Sequence, residues 1–146
     1  MIYLPDVNVW IALASDRHVH HLSAKRWVDE IRKEQIAFCR ISELGFFRLL
    51  TNRHVMQDEV LEPVQAWRTY ENMRADPRII FLPEAAGFSE QWRKAGIEVS
   101  GGPNGWTDAY LAVFAHQANA TIVTFDCGFK AISGCNVVAL SPPQNR

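Results

Sequence analysis

Short apolar runs alternate with longer amphipathic ones along the chain, and this alternation restricts the fold more than any other feature. Ile2-Tyr3-Leu4, Gln35 to Arg40, Ile79 to Leu82, Thr121 to Phe125 and Val137 to Leu140 have the length and the β-branched or aromatic content of buried strands. Pro5 stops the first, because proline cannot donate to a sheet ladder. Between the strands the apolar spacing becomes helical. Val7 to Ala14 is one such stretch. His21 to Lys33 is a clearer one, with Ala24, Trp27, Val28 and Ile31 on one face. Ser42 is placed as the N-cap of a helix through Leu50. Val60 to Arg74 follows, with Val60, Val64, Trp67 and Tyr70 inward, and then a short helix from Phe88 to Lys94. Gly96 to Gly105 reads as a loop. Thr107 caps a helix over Ala109 to Ala118 that is apolar nearly all round and hence buried. A short helix is expected between the last two strands.

Strands that alternate with helices imply a parallel sheet with helices on both faces, since each helix must bury its apolar stripe against the sheet. The expectation is therefore an α/β fold of about five parallel strands. A length of 146 residues suits one domain, with its core over residues 2–140 and a short C-terminal tail. No apolar run approaches the ~20 residues of a membrane helix. The N-terminal residues lack the basic start and apolar stretch of a signal peptide, so a cytoplasmic protein is expected, with no membrane partner. Cys39, Cys127 and Cys135 form no C-x-x-C pair, which argues against a disulfide framework or a zinc site.

In open parallel sheets, sites form beyond the carboxyl ends of strands, where strand order reverses. The polar residues just past strand ends are therefore the informative ones. Asp6 follows the first strand, and Asp126 follows the fourth. Glu43 opens the helix after the second, and Asp108 opens the buried helix that leads into the fourth. Each acid has a local alternative. Glu43 and Asp108 could complement a helix dipole, Asp6 could be an N-cap, and Asp126 could be a turn residue. Their common placement on one sheet edge favours a shared site. Four converging carboxylates repel and raise one another's pKa, and a hard divalent cation removes that cost. Oxygen ligands suit magnesium or manganese. The net charge of −1 looks unpromising for a nucleic-acid binder. If four acids are committed to a metal, however, the rest of the chain is net basic.

Asp6-Val7-Asn8-Val9-Trp10 resembles the opening of PIN domains. Ser42-Glu43-Leu44, Trp106 to Ala112, and Val123-Thr124-Phe125-Asp126 resemble the remaining PIN blocks, in the family's order. His18, His21, Ala24 and Trp27, together with Phe47 to Asn52, are similar to VapC-type toxins of type II toxin–antitoxin systems. The resemblance spans almost the whole chain. It implies an endoribonuclease that uses Mg2+ or Mn2+, is inhibited by a cognate antitoxin and forms a homodimer. It also implies that Asp6, Glu43, Asp108 and Asp126 are the catalytic, metal-holding acids. Asn8 and Thr124 are candidates to hold those acids in place, although Asn8 could equally cap the first helix.

The expected chemistry is hydrolysis of an RNA phosphodiester by metal-activated water, oriented by Asp6 or Asp126, leaving 5′-phosphate and 3′-hydroxyl ends. Arg40, Arg48 and Arg53 are the candidates for phosphate contacts, beside a solvated surface role. Trp106 could line the substrate path or simply pack. The histidines form no H-E-x-x-H pattern and read as structural or surface residues. A haloacid-dehalogenase-like phosphatase would need an Asp where Asn8 stands. The alternative from another class is a PIN-like module that binds RNA or a protein without cleaving. The apolar faces of His21 to Lys33 and Val60 to Arg74 offer a groove to a partner's amphipathic segment, which could aim a basic residue at the acids.

Overall fold

The first strand, β1 (Ile2–Pro5), lies at the centre of the sheet, and everything else is arranged about it. A computed structural model describes residues 1–98, 102–126 and 135–141. The other strands are β2 (Gln35–Phe38), β3 (Ile79–Phe81), β4 (Ala120–Thr124) and β5 (Asn136–Ala139). All pairings are parallel, in the order β3-β2-β1-β4-β5. The chain builds outward from β1 to β3 on one side, then returns to add β4 and β5 on the other. The reversal falls between β1 and β4, and that is where a crevice opens in such a sheet.

Seven α-helices cover the sheet among the described residues: α1 (Val7–Ala14), α2 (His21–Glu30), α3 (Arg40–Leu50), α4 (Arg53–Met56), α5 (Pro63–Arg74), α6 (Phe88–Glu98) and α7 (Asn104–Ala118). Successive residues of β2 feed opposite layers, as strand geometry requires. Ile36 and Phe38 join Trp10, Phe46 and Tyr70 on one face, while Ala37 joins Leu4, Tyr110, Phe114 and Ile122 on the other. The α/β fold with helices on both faces is thus as the alternation implied. None of the described helices is long and apolar enough to cross a membrane. Cys39 and Cys135 are free thiols; Cys127 lies outside the described residues.

Several boundaries differ from the sequence reading, for local reasons. Strand β2 stops at Phe38, and α3 starts at once with Cys39 as its N-cap. Ser42 is the third helical residue rather than the cap, and its hydroxyl accepts the Cys39 N–H at 3.0 Å. Helix α2 ends at Glu30 rather than Lys33. Helix α4 was not anticipated; the Asn52 side chain starts it by accepting the His54 N–H. Helix α5 begins at Pro63, a favoured first position, rather than at Val60. Its buried stripe is Ala66 and Tyr70, so Val64 and Trp67 face outward, and Trp67 is 51% exposed while stacked on Phe47.

Helix α6 continues to Glu98 because Gly96 is not a break but a contact point. A Cβ there would lie 2.0 Å from the Trp106 ring, so only glycine lets the indole lie against α6. Helix α7 begins at Asn104, a full turn before the expected start. The short helix expected between the last two strands falls outside the described residues.

Candidate functional site

At the reversal point a cleft of about 460 Å³ opens between the starts of α1, α3 and α7. Asp6, Asn8, Ser42, Arg48, Asn104, Thr107, Asp108 and Asp126 supply its polar wall. Asp6 arrives from β1, and its N–H is held by the Val123 carbonyl of the neighbouring strand at 2.9 Å. Its carboxylate also caps α1, accepting the Val9 N–H at 3.2 Å. The N-cap alternative is therefore realised alongside the cleft-facing position, since two oxygens can serve two purposes. Thr124, fully buried at the end of β4, donates its hydroxyl to the other Asp6 oxygen and accepts the Asp126 N–H at 3.0 Å. One threonine thus ties together two acids that are far apart in sequence.

Asp108 sits one turn inside α7, with Asn104 before it and Leu111 after it on the same face. Helix α3 approaches closely because Gly45 faces Val7; a Cβ on Gly45 would stand 3.1 Å from the Val7 side chain. That contact brings Ile41, Ser42, Leu44 and Arg48 to the cleft wall.

Glu43 behaves differently from the three aspartates. It points off the cleft face of α3. The Arg40 guanidinium donates to one carboxylate oxygen at 2.5 Å, and the Tyr70 hydroxyl donates to the other. Arg74 in turn donates to Tyr70 at 2.8 Å. The structure thus brings Asp6, Asp108 and Asp126 to one cleft and leaves Glu43 in a neighbouring network. Of the arginines considered for phosphate contact, Arg48 lines the cleft. Arg40 is engaged with Glu43 and lies over the Phe81 ring, and Arg53 opens α4 away from the lining residues. Trp106 packs against α6, on the far side of α7 from Asp108, and its carbonyl accepts the Trp92 indole N–H.

The charge of Asp126 bears on both other aspartates of the cleft. Burial pushes the Asp6 carboxyl above its ordinary range, opposed by the Thr124 and backbone hydrogen bonds, and the charge of Asp126 pushes it further. Asp108 is raised by burial and by the same Asp126 charge. Among the described residues no three Asp, Glu, His or Cys side chains converge closely enough to form a ready ligand set. The donor chemistry nonetheless fits a hard divalent cation: the donors are carboxylate oxygens from three segments lining one cleft, and the charge of Asp126 bears on both Asp6 and Asp108.

A pH dependence follows for the metal-free protein. A carboxyl raised in the folded state binds its proton more readily there than in the unfolded chain. The stability this gives is full below the unfolded value of about 3.9 and is lost as pH rises through the folded value. Asp6 and Asp108 should therefore make the metal-free protein melt lower as pH is taken from the carboxylate range to neutrality. Asp76, held low by Arg78, acts the other way, but below that window. In a chelated pH series, Asp6→Asn should flatten the slope. Parallel slopes for wild type and variant would show that Asp6 carries no raised pKa.

Asn104 and Thr107 line the cleft, although the sequence reading places Asn104 in a loop and Thr107 at a helix cap. The signal was present in the spacing: Asn104, Asp108 and Leu111 keep helical periodicity through the glycine-rich segment.

Comparison with known proteins bears on the fold and the family. A family model described as PIN domain matches residues 3–134. Ribonuclease VapC41 of Mycobacterium tuberculosis is 36% identical over 143 residues, covering 94% of this chain and 98% of that protein. Among solved structures, VapBC2 from Rickettsia felis bound to a promoter DNA fragment superposes with a TM-score of 0.68 at 16% identity, over 97% of this chain and 100% of that one. VapC20 of Mycobacterium tuberculosis, described as a sarcin–ricin loop cleaving toxin, gives 0.64 at 16% identity, over 88% and 92%. With its strand order, its acids at the sheet's reversal point and relatives aligned along nearly its full length, the chain belongs to the PIN-domain family, in its VapC branch.

Proposed function

We propose that this protein is a Mg2+- or Mn2+-dependent endoribonuclease, the toxin of a toxin–antitoxin pair. One observation carries the reading. Asp6, Asp108 and Asp126 line one cleft; burial, and to a lesser degree the charge of Asp126, raises both Asp6 and Asp108, an arrangement that a cation would relieve. Relatives named as ribonucleases, and a structural neighbour described as cleaving the sarcin–ricin loop, support RNA as the substrate.

Asp6, Asp108 and Asp126 are the residues that would hold the ion. Glu43 remains the fourth acid of the proposed set; its carboxylate would have to leave Arg40 and Tyr70 to join the others. A bound divalent ion polarises phosphate oxygens and lowers the pKa of a coordinated water. The chain's own groups supply the rest. Thr124 fixes Asp6 and the Asp126 backbone, and Asn8 narrows the cleft beside Asp6. Arg48 offers a cation to the RNA phosphates from the opposite wall. Asp6 or Asp126 orients the attacking water, leaving 5′-phosphate and 3′-hydroxyl ends. The proposed partners are a cognate antitoxin, which would cover the exposed apolar residues Leu22 of α2 and Val64 and Trp67 of α5, and a second copy of the chain.

The engagement of Glu43 with Arg40 and Tyr70 favours a second reading, a module that binds RNA without cleaving it. Purified protein incubated with total RNA separates the two. Cleavage with manganese or magnesium, abolished by chelation and leaving 5′-phosphate ends, is the expected result. Saturating manganese should also stabilise the protein, by about 2.7 kcal/mol at a hundredfold excess over Kd. RNA retained intact would support the binding module, and cleavage that survives chelation would exclude a metal mechanism.

A further inference from the structure

Strand β4 ends at Thr124, so Phe125 and Asp126 lie beyond it. Asp126 must nevertheless keep its place opposite Asp6 and Asp108, two groups whose charge opposes its own. The chain bends at Phe125, whose side chain is half-buried. There the His20 ring lies flat on it, with centroids 4.4 Å apart and planes 17° from parallel. His20 is held in turn by its neighbours. Its backbone N–H donates to His18 Nδ1 at 3.0 Å, and the His21 Nδ1 lies 2.7 Å from the Ala12 carbonyl of α1. The Nδ1 of His20 is buried with no hydrogen-bond partner among the described residues, so no bond at that nitrogen locates the ring, whereas the stack on Phe125 does.

We propose that His20 is a positioning residue for the acidic cleft: stacked on Phe125, it clamps the chain beyond β4 so that Asp126 stays opposed to Asp6 and Asp108 against their repulsion. The inference rests on the cleft being a cation site. It gives a role to the paired histidines between α1 and α2, which the chemistry of the cleft does not otherwise use.

Calorimetric titration of the whole chain with manganese tests it, with melting of each metal-free variant as the control for folding. His20→Ala should weaken manganese binding by about tenfold, the lower end of what outer contacts to metal ligands contribute, while His20→Phe, which keeps a ring, should stay within about twofold of wild type. Phe125→Leu, which keeps bulk but loses the stack, should weaken binding as His20→Ala does. It stands in if His20→Ala fails to fold. A merely structural role would lower the melting temperature of His20→Ala and leave its manganese affinity at the wild-type value, and that result overturns the clamp. So does a His20→Phe variant as weak as His20→Ala. A wild type that binds no manganese removable by Asp6→Asn would instead overturn the cation site itself, and the clamp with it, an outcome distinct from the others.

Discussion

Asp6→Asn is expected to reduce RNA cleavage by on the order of 10²-fold or more, since the stabilisation of transition-state charge by a metal is worth several kcal/mol and each 1.4 kcal/mol is a factor of ten. The same change should raise the melting temperature of the metal-free protein. Asn keeps an oxygen to accept the Val9 N–H, turns an amide N–H toward the Thr124 oxygen, which can accept it, and removes a partly buried charge that faces Asp126. Asp108→Asn should behave alike, with a smaller gain, because Asp108 is less deeply buried than Asp6. The opposed directions are diagnostic. An acid present for folding alone would lose stability on substitution and leave cleavage per folded molecule unchanged. Cleavage assays beside chelated melting curves decide the matter, and Asp6→Asn retaining full activity would remove Asp6 from the site.

Trp10→Ala should produce the largest loss of stability in the molecule. Trp10 is fully buried on α1 and stacks on Phe38 of β2 at 3.6 Å, at the centre of the layer that also holds Phe46 and Tyr70. Truncating a buried tryptophan leaves a cavity that a close-packed core only partly fills, at a cost of about 3–5 kcal/mol. For a chain of this length that corresponds to roughly 6–20 °C in Tm. Trp10→Phe should cost well under half as much. It keeps a ring on Phe38 and deletes an indole N–H that has no partner among the described residues. Thermal melts of the two variants check this. A Trp10→Ala protein melting within about 3 °C of wild type would show that this layer repacks freely.

The two substitutions sit four residues apart, yet one is expected to alter chemistry and the other only the fold. Helix α1 explains why. Its N-terminus carries Asp6 into the cleft while its buried face, Val9 to Ala12, anchors it to the sheet. The cap and the core are then one device: the bond from Asp6 to Val9 orients a carboxylate on a helix that cannot slide.

The parallel sheet was legible in the amino-acid order, because period-two and period-3.6 patterns are local and each declares its own burial. The placement of Asp6 and Asp126 past strand ends was legible for the same reason: a residue after an apolar run leaves the sheet at its edge. Helix starts were less so. Cys39 caps α3 and Asn104 opens α7 because neighbouring strands and helices fix where the chain must turn, which no local pattern records. The orientation of Glu43 was beyond the sequence altogether. Whether that carboxylate faces the cleft or Arg40 and Tyr70 depends on α5 packing beside α3, a contact between residues 27 positions apart. The stack of His20 on Phe125, joining residues at opposite ends of the chain, is likewise set only when β4 inserts beside β1. The sequence by itself determined the layers and the edge on which the acids lie. The tertiary structure decided which carboxylates meet and what holds them, because side-chain direction at a helix or strand end is set by packing partners that are distant in sequence.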